Sequence, residues 1–194
     1  MGKKTFMALC TLCFITMNMG AQAQTAQATP EKKFQTQTAV ALPVKDFGKV
    51  YNVPFATDKP DPNLQYKIIF EAGGEAMDSS VLYPPLEHLA RMYNLHVYGG
   101  VPQKNLHVVL MIAGVGILVA MNNEAYRKRY GIDNPNIRIL SQLKAAGIKI
   151  NGCAQAMTKN KIEPADMNPD VNMVFSRFTT VSTYQMKGYA YFKF

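Results

Sequence analysis

Cys153 has the most chemistry to offer in this chain. It lies in Gly147-Ile148-Lys149-Ile150-Asn151-Gly152-Cys153-Ala154-Gln155-Ala156-Met157, where the pattern predicts a short strand handing over directly to a helix. The free N–H groups at a helix N-terminus favour a thiolate over a thiol. Gly152 permits close approach by a partner. Lys149, Lys159 and Lys161 make the surroundings basic, with Arg177 a further candidate to stabilise an anion. Such a thiolate suits sulfur or disulfide exchange, which needs no separate base. A cysteine hydrolase would need a histidine base and a group to orient it. His88, His96 and His107 fall on the first helix, the loop after it and the second strand, and none is aimed at Cys153. The competing reading is an inert thiol, because free cysteine commonly serves as a small buried hydrophobe. Local pattern leaves both readings open.

Other candidate chemistry is thinner. Gly114-Val115-Gly116 resembles the opening of a dinucleotide fingerprint, but Val119 stands where the third glycine belongs, and no phosphate-binding Gly-Lys-Ser/Thr occurs. A tight turn off a buried strand explains these glycines better. Three scattered histidines with no His-x-His or Cys-x-x-Cys predict no metal site. His107, in an otherwise apolar strand, reads as a satisfied core residue. Arg127-Lys128-Arg129 is the strongest basic run and reads as a solvated helix face, so no nucleic-acid partner is expected.

The N-terminus predicts export. Lys3 and Lys4 precede an apolar run over 6–17 that contains Cys10 and Cys13, and Ala21-Gln22-Ala23 is a small-x-small cleavage pattern. Residues 1–23 are therefore expected to be a signal peptide, with Gln24 the first mature residue and a cut after Ala28 the alternative. Its loss would lower the formal charge from +8 to +6 and leave Cys153 alone. One cysteine cannot make an internal disulfide, so the fold must do without that staple. No later stretch is long enough to span a bilayer. The expected location is periplasmic or otherwise exported.

The elements that must position Cys153 follow from hydrophobic period. Residues 24–63 are expected to form an extended, partly disordered arm; 24–38 lack periodicity, and 40–63 carry Pro43, Pro54, Pro60 and Pro62 among apolar residues, as in a segment wrapping its own domain or a neighbouring subunit. The domain proper is placed at 64–194. Strands are predicted over 66–72, 106–113, 148–152, 171–175 and 189–194, with helices opening near Tyr83-Pro84-Pro85, over 123–130 to a stop at Gly131, from an Asn134 cap to Gly147, and over 154–160 and 177–187. The second strand is apolar on both faces, which suits the middle of a covered sheet. Alternation of strand and helix gives a three-layer α/β sandwich with a mainly parallel sheet of about five strands. Gly73-Gly74, Gly114-Val115-Gly116, Cys153 and Ser176 all fall at strand ends, where open parallel sheets gather ligand groups.

The runs 122–131, Asp133-Asn134-Pro135-Asn136, and Leu143-Lys144-Ala145-Ala146-Gly147-Ile148-Lys149-Ile150 leading to Cys153, with Gly188-Tyr189-Ala190-Tyr191 at the end, resemble the DsrE/DsrF-like family. Asp46-Phe47-Gly48-Lys49-Val50-Tyr51 and Lys59-Pro60-Asp61-Pro62 resemble its exported branch. The resemblance implies an α/β sandwich assembled as a homo-oligomer, a trimer or a hexamer. It also implies that Cys153 carries sulfur as a persulfide between donor and acceptor proteins, with Gly114, Gly152, Ala154 and Gln155 about the transferred sulfur and no organic cofactor or metal. Exported members often read Cys-Gly-Gln-Ser, where this chain has Cys153-Ala154-Gln155-Ala156, and His-Gly after the second strand, where it has Ala113-Gly114. The alternatives are a binding or assembly module with an inert thiol, and a stress protein that forms mixed disulfides through Cys153.

Overall fold

The computed structural model describes residues 41–74 and 77–193. The expected signal peptide with Cys10 and Cys13, and the arm up to residue 40, lie outside the described residues.

Five strands form one wholly parallel sheet: β1 (Tyr66–Ala72), β2 (Leu106–Ile112), β3 (Lys149–Cys153), β4 (Asn172–Val174) and β5 (Ala190–Lys193), in the order β4-β3-β2-β1-β5. The central strands are the apolar ones because both of their faces are covered. Three crossovers step in one direction from β1 to β4 through the helices α1 (Pro84–Tyr98), α2 (Asn123–Tyr130), α3 (Ile137–Ala145) and α4 (Ala154–Lys159). The chain then returns across the whole sheet through α5 (Arg177–Met186) to pair β5 with β1. Right-handed crossovers in opposite directions lie on opposite faces, so α5 covers the face that α1 and α3 do not. This is the expected α/β sandwich, with a third layer made of a single helix.

Register sorts the side chains. Phe70, Leu110 and Ile150 are aligned toward α1 and α3, while Glu71, Met111, Asn151 and Asn172 form the next row, toward α5. On the first face Leu86, Leu89 and Tyr93 of α1 and Ile139, Leu140 and Leu143 of α3 are buried, and the Tyr93 hydroxyl donates to the Ala146 carbonyl at 2.7 Å, tying the two helices.

Residues 44–50 of the arm wrap this chain's own domain. Val44 is fully buried, and the Asn94 side chain bonds Val44 at both its N–H and carbonyl and also reaches the carbonyls of Phe47 and Gly48. Gly48 has φ +66°, and a Cβ there would lie 2.4 Å from the backbone of Ala90. Only glycine permits that approach. The Asp46 carboxylate takes bonds from Gln142 and Arg138, which hold it below the ordinary carboxylate range, the Gln142 bond contributing most.

Three local expectations change. Asn134 does not cap α3, which begins at Ile137. Its buried amide donates instead to the carbonyls of Val119 and Met121, and its Oδ1 accepts from the Asn136 N–H, so the loop is pinned before the helix opens. Gly114-Val115-Gly116 is more than a turn: it opens a 3-10 helix, Gly114–Ala120, with Gly114 at φ +59°. His107 is not a core residue. It is exposed near the start of β2, with Nε2 2.8 Å from Gln65 Oε1. The stop of α2 at Gly131 is as the pattern predicts, left-handed at φ 76°, and the helix opens on Asn122, whose Oδ1 accepts from the Ala125 N–H.

Candidate functional site

Parallel strands bring all their carboxyl ends to one edge, and Cys153 is the last residue of β3 there. It is 3% exposed, at the floor of a cleft of about 600 Å³. Ala113 and Gly114 form one wall, Gln155, Ala156 and Lys159 of α4 another, and residues 175–179 the third. Phe175 and Phe178 stand largely exposed at the rim.

The junction of β3 with a helix is as the sequence indicates, and Cys153 occupies the N-cap position of α4. The hydrogen bond to its sulfur, however, comes from elsewhere. The backbone N–H of Arg177, first residue of α5, donates to Sγ at 3.3 Å. Ser176 caps α5, its hydroxyl accepting from the Phe178 N–H. The N-terminus of a longer helix is thus presented to the sulfur. Ser176 was visible in the sequence as a strand-end residue; its pairing of α5 with Cys153 was not.

Of the predicted site residues, the fold brings Cys153, Gly114 and Gln155 into one cleft, with Lys159 beside them. Gly152 and Ala154 lie outside it. Gly152 faces the opposite side of the sheet, where a Cβ would come within 3.0 to 3.1 Å of Val171, Ile117 and Met167. Its missing side chain makes room for core packing and not for a partner of Cys153. The Ala154 carbonyl accepts from Thr158 within α4. None of the three histidines lines the cleft.

Sequence reasoning missed a polar cluster that adjoins the cleft. Glu71, near the end of β1, is 4% exposed, and its carboxylate accepts from Arg177 Nη1 at 2.8 Å and from the Tyr191 hydroxyl at 2.9 Å. Burial, then the bond to Glu71, pushes the Tyr191 phenol up to about 12, so it remains a donor at neutral pH. Gly73 leaves space for this carboxylate, since a Cβ there would meet Glu71 Oε1 at 3.0 Å. The visible signal was a lone acid in an apolar strand before Gly73-Gly74. Two residues before Cys153 on the same face, Asn151 Oδ1 is buried with no partner among the described residues.

Among the described residues no group of His, Cys, Asp or Glu could hold a metal ion, and no helix is long and apolar enough to cross a membrane. The Arg127-Lys128-Arg129 run is tied to its own domain: Arg127 pairs with Asp133, and Arg129 Nη1 donates to the Asn160 carbonyl at 2.8 Å. A separate cavity of about 400 Å³ lies between residues 52–60 and the end of α1, away from Cys153.

A family model, that of the DsrE/DsrF-like family, matches residues 66–194. A solved structure of a protein of unknown function, MTH1491 from Methanobacterium thermoautotrophicum, is similar at 16% identity and TM-score 0.48, over 66% of this chain and 98% of that one. No curated protein matches the chain.

Proposed function

The chain belongs to the DsrE/DsrF-like family, and from that premise we propose that it is an exported sulfur carrier in which Cys153 holds a persulfide. The observation that carries the reading is the Arg177 N–H on Cys153 Sγ at the floor of an open cleft. In the exchange, the Cys153 thiolate attacks the outer sulfur of a donor persulfide. The donor S–S bond breaks, the donor leaves as a thiolate, and Cys153 becomes a persulfide. An acceptor thiolate then attacks the outer sulfur of that persulfide and restores the Cys153 thiolate. No electron is gained or lost overall. Each step moves negative charge on or off the sulfur, where the N–H of α5 favours the anion and Lys159 adds positive charge.

Supporting association into a homo-oligomer, a trimer or a hexamer, are the exposed Phe175, Phe178 and Met186 on and beside α5. Sizing of the purified protein tests that part, and a monomer ends it.

The test of the chemistry is exposure of the folded protein to a low-molecular-weight persulfide, followed by mass spectrometry of the Cys153 peptide. The carrier reading expects a gain of one sulfur, lost again to a thiol acceptor and absent in Cys153→Ser. The burial of Cys153 favours a second reading, a binding or assembly module with an inert thiol. Absence of the gained sulfur, with labelling of Cys153 only after denaturation, would establish that instead.

A further inference from the structure

The exchange uses Cys153 and the start of α5 but leaves Glu71 without a part. Burying an ionised carboxylate is unfavourable unless it is both paired and hydrogen-bonded. Glu71 meets both conditions through Arg177 and Tyr191, at 2.8 and 2.9 Å. The residue it grips is the one whose backbone N–H donates to Cys153 Sγ.

The start of that helix is also held by the buried Ser176, and the Phe178 ring lies 4.6 Å from the Arg177 guanidinium. α5 contributes no fully buried residue, and Phe178, the next residue along, is 70% exposed. Ser176 Oγ orients the Phe178 N–H and leaves the Arg177 N–H to the sulfur. The Arg177 side chain ties the first residue of α5 to β1, at the far side of β2, and so bears directly on the aim of that N–H.

We propose that Glu71 is a positioning residue for Cys153: together with Tyr191 it clamps the Arg177 guanidinium and so holds the first N–H of α5 on the sulfur. The proposal rests on the carrier reading for its use, since a well-aimed donor matters where the sulfur becomes an anion. Its geometry is independent of that use.

Two modes of action predict opposite signs. A carboxylate acting through space opposes an anion on the sulfur, so its removal would make Cys153 react at lower pH. A carboxylate acting as a clamp aids the anion, so its removal would make Cys153 react at higher pH.

The experiment follows alkylation of the Cys153 peptide by iodoacetamide in the folded full chain, across pH, each profile normalised to its own high-pH plateau. Normalisation removes changes in access to the cleft. Glu71→Ala is expected to move the profile upward by about one pH unit, a tenfold loss of reactive thiol on the low-pH limb. Glu71→Gln keeps an acceptor for Arg177 and should restore most of the wild-type profile. A downward shift, or equal shifts in the two variants, overturns the proposal. Should Glu71→Ala fail to fold, Tyr191→Phe decides: it removes one hydroxyl, and the clamp requires a smaller upward shift, whereas an unmoved profile overturns it. Failure of the wild type to take up sulfur would end the carrier reading while leaving this comparison to judge the clamp.

Discussion

On one face of the sheet Phe70, Leu110 and Ile150 are sealed under α1 and α3, whose inward residues are buried and whose outer surface is bound by residues 44–50. On the other face Glu71, Met111 and Asn151 lie beneath α5, a helix with no fully buried residue, beside the Cys153 cleft. The first face follows the ordinary rule for an α/β core, apolar groups close-packed with few voids. The second spends part of its area on a buried ion pair, an unpartnered amide oxygen and an open cleft. The close-packed core and the cleft that holds Cys153 thus lie on opposite sides of the same five strands. A reactive sulfur needs access and an oriented donor, and a sealed core provides neither.

The sharpest way to break this division is to truncate one aromatic on each face. Phe70→Ala is expected to cost about 3 to 5 kcal/mol, because it empties a fully buried site, whereas Phe178→Ala, at a solvated rim where the ring lies over the Arg177 guanidinium, should cost no more than about 1 kcal/mol. Urea unfolding of both variants measures the difference, and similar losses would show that the two faces are not distinct.

A smaller effect sharpens the role of the arm. Gly48→Ala must place a methyl against the backbone of Ala90 at a positive φ, for a loss of about 1 to 3 kcal/mol in the same assay. A neutral result would mean that residues 44–50 are not part of the sealed face.

The smallest effect is read in alkali. Tyr191, raised to about 12 when folded from an ordinary value of 10.0, holds its proton more tightly in the native state. Its contribution is therefore fully present below pH 10 and is lost as pH climbs toward 12. Tyr126, also raised to about 12, acts in the same window from its place near Ser79. Tyr191→Phe should flatten this alkaline loss only partly, as followed by chemical denaturation at pH 9, 10 and 11. An unchanged slope would mean that Tyr191 does not hold its proton more tightly in the folded state.

Much of the fold was legible because its signals are local. An apolar run too short for a helix marks β2, a left-handed glycine ends α2, and the exit of β3 places Cys153 at a strand-to-helix junction. Where local signals misled, a distant segment had taken the residue over. Asn134 reads as a cap but serves carbonyls of the 3-10 helix, and Gly152 reads as an opening beside Cys153 but faces Ile117, Val171 and Met167 on the other side of the pleat.

By itself the sequence determined the strands, the helices, the stops between them and the place of Cys153 at a strand exit, because periodicity, turn chemistry and side-chain type are properties of short stretches. Only the tertiary structure decided which donor that sulfur meets. The N–H comes from a residue 24 positions onward, and the acid gripping that residue lies 106 positions before it. The first contact follows from the pairing of β4 with β3, which sets Val174 beside Cys153, and the second from the line on which α5 then crosses the sheet toward β5; no local pattern encodes either.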